Sequence, residues 1–136
     1  MPSPAQTHRL PDDILSAILE LARREAGQER FAFRGHDEDL QRVFFQLSRN
    51  PKYGLLREFV FSNSGARRYS PALSDSVSKL QLAGLLGRQN PDYEILFTTV
   101  PARHFYDEVL SRKFSDEERN QLQEIAKEFR SLVPGI

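Results

Sequence analysis

An α+β domain dominated by helices is the fold class this 136-residue chain predicts, and three observations carry it. Apolar residues recur at helical spacing in four separate stretches. Several of those stretches are punctuated by capping residues in front or by glycine behind. Directly after the third stretch, residues 85–98 read as two short β-prone runs joined by a polar turn.

In chain order, residues 1–10 carry two prolines within the first four positions and no periodic apolar pattern, so a loose tail is expected before a single domain at 11–133. From Pro11 to Ala26 the set Ile14, Leu15, Ile18, Leu19, Leu21 and Ala22 covers a wide helical face. Asp12-Asp13 sit at its favoured negative end, Arg23-Arg24 near the other, and Gly27 is the stop. Phe31-Ala32-Phe33 reads as a short strand or an extended segment that delivers aromatics to the core. A second helix is expected from about Asp37 to Ser48, carrying Leu40, Val43, Phe44 and Leu47 and ending before Asn50-Pro51. Leu55, Leu56, Phe59 and Val60 or Phe61 form a buried stretch, either a short helix or partly extended, that ends at Asn63-Ser64-Gly65.

The third helix has the clearest limits. Ser70 is placed to cap it, Pro71 suits its first position and Gly84 the left-handed turn that closes it, which gives a helix over 71–83. Leu73, Val77 and Leu80 make its buried stripe and leave Ser74, Asp75, Ser78, Lys79 and Gln81 for other faces. Leu85-Leu86 then starts a strand, Gly87-Arg88-Gln89-Asn90-Pro91-Asp92 supplies turn formers, and Tyr93–Thr98 returns as the partner strand. This order is that of a winged helix-turn-helix, with 71–83 as the candidate recognition helix and 85–98 as the wing. Residues 101–133 complete it with two helices. The first is capped by Thr98 or Thr99, with Phe105, Val109 and Leu110 as apolar positions. The second opens with the Ser115/Glu118 capping box and carries Leu122, Ile125, Ala126, Phe129 and Leu132.

Two segments also carry a resemblance. Residues 59–74 (Phe-Val-Phe-Ser-Asn-Ser-Gly-Ala-Arg-Arg-Tyr-Ser-Pro-Ala-Leu-Ser) and 79–86 (Lys-Leu-Gln-Leu-Ala-Gly-Leu-Leu) resemble the part of the Panacea-like family in which an aromatic strand end leads through a Gly-Pro-Tyr-Ser-type turn to a helix and a Gly-Leu-Ile/Leu step. This chain has the longer Gly65–Pro71 segment in place of that turn. The resemblance spans roughly residues 40–110 and implies a winged-helix-like fold and an antitoxin-associated role. By element order the chain is more loosely similar to MarR-type bacterial regulators.

Composition narrows the function classes. The chain has no cysteine, so disulfides, thiol catalysis and cysteine-based zinc sites are excluded. No G-x-S-x-G elbow, P-loop or H-E-x-x-H helix occurs, and the expectation is no catalytic residue, no cofactor and no metal. His36-Asp37-Glu38-Asp39 holds competent metal ligands, but acids in a first helical turn are explained by the helix dipole alone. No apolar run reaches the roughly 18 residues of a membrane span, and the N-terminus has no hydrophobic signal region, so a cytoplasmic protein is expected.

Net charge is zero, which weighs against indiscriminate binding to nucleic acid. Residues 51–88 nevertheless hold six cations against two acids, a net of +4, while residues 107–136 hold a net of −2. The expectation is therefore a non-enzymatic regulator that places the 71–83 helix in the major groove of duplex DNA. Ser74, Ser78, Lys79 and Gln81 would face bases or phosphates, and Arg67, Arg68 and Arg88 would face the backbone. A protein-interaction module or antitoxin-like adaptor is the alternative. Leu122, Ile125, Phe129 and Leu132 either close the monomer's core or pair with the same helix of a second chain, which would give a homodimer suited to paired half-sites.

Overall fold

The computed structural model describes residues 9–62, 68–89 and 95–134. Around its central helix, α1 (Pro11–Ala26), every residue from Ile14 to Ala22 is buried, Ser16 and Glu20 included. Pro11 opens α1 and Gly27, at φ 68°, takes the left-handed conformation that ends it. Buried Glu20 is clamped by Arg23, through a two-point contact at 2.7 and 3.0 Å, and by Arg24 at 2.6 Å.

The strand β1 (Ala32–Arg34) leads into α2 (Asp37–Ser48), which His36 caps by accepting from the Glu38 N–H through Nδ1 at 3.2 Å. The undecided stretch that follows is a 3-10 turn at Gly54–Glu58. Its position is set from α6 (Asp116–Leu132): the Leu55 N–H donates to Gln121 at 2.8 Å and the Tyr53 hydroxyl to Glu128 at 2.7 Å. Burial, with the bond to Glu128, pushes the Tyr53 phenol up to about 12.

The helix α3 (Pro71–Leu82) is capped as its sequence indicates: the Ser70 hydroxyl accepts from the Leu73 N–H at 3.3 Å. At the other end Gly84 has φ 77°, with Leu85 N–H to Leu80 carbonyl at 2.9 Å and Gly84 N–H to Gln81 carbonyl at 3.1 Å. These are the two bonds of a Schellman stop. Leu73, Val77 and Leu80 are buried, as their spacing requires.

The strands β2 (Leu86–Gln89) and β3 (Ile95–Thr98) follow, and the antiparallel sheet has the order β1-β3-β2. The register sets Ala32 and Gly87 on either side of Phe97, and Arg34 and Gln89 on either side of Ile95. Gly87–Gln89 is therefore strand where turn was expected; the turn formers that remain, with Tyr93 and Glu94, lie outside the described residues. Gly87 belongs in the strand because the Phe97 ring lies across it and leaves no room for a side chain.

Past β3, Thr99 caps α4 (Val100–Phe105), which runs through a π-helical turn (Tyr106–Leu110) into α5 (Ser111–Lys113). The wide turn shifts the helical phase, so Tyr106 and Leu110 are buried and Val109, expected inside, is 37% exposed. The Arg24 guanidinium holds this bulge against α1, pairing with Asp107 at 2.8 Å and lying 4.9 Å from the Tyr106 ring centre.

The last helix, α6, starts with both bonds of the expected Ser115/Glu118 capping box. It packs along α1, with Leu122, Ile125 and Phe129 fully buried and Leu132 half-buried. The Phe129 ring lies 5.6 Å from Phe33 and 5.4 Å from Phe44. The proposed dimer stripe is thus spent on the monomer's own core, and any pairing through α6 has to use its polar faces. Of the expected tail, residues 1–8 lie outside the described residues, and Arg9 is held in place, pairing with Glu118 through two contacts at 2.8 and 3.0 Å and lying over Phe114. Among the described residues no helix is long and apolar enough to cross a membrane.

Candidate nucleic-acid interface

Helical geometry places Ser74, Ser78 and Gln81 along one side of α3 and turns Lys79 away from them. The structure divides these residues accordingly. Ser78 is exposed and lines a cleft of about 250 Å³ with Asp37, Tyr69, Ser74 and Arg88. Gln81 accepts from the Arg88 guanidinium at 3.2 Å, which ties the strand β2 to the end of α3. Lys79 points instead toward α1, 3.9 Å from the Asp12 carboxylate, whose other oxygen accepts from Ser76 at 2.6 Å. Its charge does not join those of Arg68 and Arg88.

Ser74 is on the predicted face, but its hydroxyl is occupied. It accepts from Gln41 at 3.0 Å and from Tyr69 at 2.9 Å, and donates to Asp37 at 2.7 Å. A hydroxyl has one proton and two lone pairs, so these bonds saturate it. Gln41, buried on α2, also accepts from the Ser70 N–H at 2.7 Å and donates to the Ser70 carbonyl at 3.0 Å. Ser74 therefore belongs to a lock that joins α2 to the start of α3, and it is not available as a base-reading side chain.

Arg68 is exposed just before α3, 5.6 Å from the Phe45 ring centre, and Arg49 approaches the same ring at 6.0 Å. Arg68 and Phe45 line a second cleft of about 300 Å³ with Asp37, Glu38, Gln41, Arg42 and Tyr69. Asp37 and Tyr69 border both clefts, so the clefts adjoin, with Arg68 on one side, Arg88 on the other and the Asp37 carboxylate between them. Arg67 lies outside the described residues.

Sequence spacing did not point to Arg49, Phe45 or Tyr69. Phe45 and Arg49 are one helical turn apart, which is a local signal, but only the tertiary approach of Arg68 gives it meaning. No cluster of three or more histidine, aspartate or glutamate side chains suited to a metal ion occurs among the described residues. No family model, no curated protein and no solved structure matches this chain.

Proposed function

We propose that the chain is a non-enzymatic winged-helix regulator of bacterial or phage type that binds duplex DNA through the exposed side of α3. The observation that carries this reading is the sheet order β1-β3-β2, with the β2–β3 hairpin directly after α3 and its Arg88 bonded to Gln81. A winged helix has this arrangement: the third helix supplies base contacts and the adjoining hairpin supplies backbone contacts.

In this reading Ser78 and Gln81 face base edges, while Arg68, Arg88 and Arg49 face phosphates. Asp37 repels phosphate from the centre of the face and confines backbone contact to its two flanks. With zero net charge and few cations on this face, non-specific binding is weak, and its salt dependence is set by those few phosphate contacts. Nuclear magnetic resonance of the 15N-labelled protein tests the assignment. A random-sequence duplex is expected to shift the Ser78, Gln81 and Arg88 signals and leave the amides of α6 unmoved; shifts confined to α6, or none, contradict it.

A second reading, a protein-interaction module, is favoured by a different observation. Leu82 is 89% exposed at the end of α3 and Val100 is 54% exposed at the start of α4. The Thr99 hydroxyl donates to the Gly84 carbonyl at 2.9 Å, which brings these two chain segments together. An apolar site there would serve a partner protein.

A further inference from the structure

On the opposite side of the sheet from Leu96 and Leu86, Phe97 is only half-buried. Its neighbours on both flanking strands are the small residues Ala32 and Gly87. Arg30 lies across the ring with its guanidinium carbon 3.7 Å from the centroid, a stacked contact. At this edge a cavity of about 490 Å³ is lined by Glu29, Arg30, Phe97, Thr98, Val100 and Arg103, among others.

Two features of the cavity point to an anion. Arg30 has no hydrogen bond or ion pair among the described residues, although Arg9, Arg23, Arg24, Arg42 and Arg119 all have carboxylate partners. Arg103 donates through Nη2 to the Glu29 carbonyl at 2.8 Å, which fixes its guanidinium at the cavity wall, and among the described residues it has no carboxylate partner. Two guanidinium groups thus line one cavity with a single carboxylate among the described residues, Glu29, which pairs with neither, and guanidinium is the side chain best matched to phosphate.

The other walls extend the argument: the Arg30–Phe97 stack with Val100 offers a flat, partly apolar floor beside the charges. We propose that this is a binding site for a phosphomonoester carried on a flat ring, as in a nucleotide. The phosphate lies between Arg30 and Arg103, and the ring rests on the stacked surface. The site is separate from the α3 face and stands or falls independently of duplex binding.

Calorimetric titration of the whole chain with AMP, adenosine and a 5′-phosphorylated single-stranded oligothymidylate tests the site. One-to-one binding of AMP or of the phosphorylated strand is expected, weakened about tenfold or more by Arg30→Gln and by Arg103→Gln and unchanged by Lys127→Ala, an exposed cation of α6. Preference for AMP assigns a free nucleotide; preference for the strand assigns a 5′ end. Arg30→Gln alters only an exposed side chain, so it keeps the test decisive if Arg103→Gln perturbs folding. No binding of either phosphorylated probe, equal binding of adenosine, or affinities unaffected by Arg30→Gln would overturn the proposal.

Discussion

Gln41 shows what a single buried polar side chain does in this molecule: one amide satisfies both backbone groups of Ser70 and one lone pair of Ser74. Gln41→Leu keeps the volume but leaves the buried Ser70 N–H without its acceptor, and is expected to cost about 1–3 kcal/mol in urea denaturation. At Gly87 the constraint is steric. An added methyl would stand 2.2 Å from the Phe97 ring, so Gly87→Ala is expected to destabilise by about 1–3 kcal/mol and to change the signals of the Phe97 ring protons. Glu118 acts through charge. The Arg9 hydrogen bonds, with help from Ser115, hold its carboxyl below the ordinary 4.5, against the opposing effect of partial burial. A depressed carboxylate contributes stability that is present above the unfolded value and is lost as pH falls through the folded one. Stability measured from about pH 5 downward is therefore expected to fall more steeply in the native chain than in Glu118→Gln.

Helices with local punctuation were legible in the sequence, and segments positioned from far away were not. Ser70-Pro71 with Gly84, and Ser115 with Glu118, act within a few residues of where they stand, and the structure has both helices at the expected positions. Leu80 belongs to the same local logic. It is 4% exposed on the inner side of α3, and Leu80→Ala is expected to lower unfolding free energy by about 2–5 kcal/mol. The 3-10 turn at Gly54–Glu58 was undecidable because Gln121 and Glu128, more than sixty residues along, hold it in place. The π-helical turn was invisible for the same reason: its partner Arg24 comes from α1. Candidate site residues divide along this line. Ser78, Gln81 and Arg88 adjoin on one side of α3 as their spacing suggests. Ser74 was lost to Gln41, Tyr69 and Asp37, and Lys79 to Asp12, through contacts that spacing does not encode.

For the whole molecule, part of the charge is used internally: among the described residues at least seven cations hold a carboxylate. The −2 of residues 107–136 is partly neutralised within the fold, where Asp107 meets Arg24 and Glu118 meets Arg9. Arg68 and Arg88 flank Asp37 at the start and end of α3, so the proposed duplex contact rests on few cations. The most direct test is fluorescence anisotropy of a random-sequence duplex against salt, from about 50 to 200 mM, for the native chain and for Arg68→Ala/Arg88→Ala. Native binding is expected to weaken as salt rises, and the double variant to lower the log–log slope by about two, close to one per phosphate contact removed. No binding at the lower salt, or the same slope in both proteins, would contradict duplex recognition by α3.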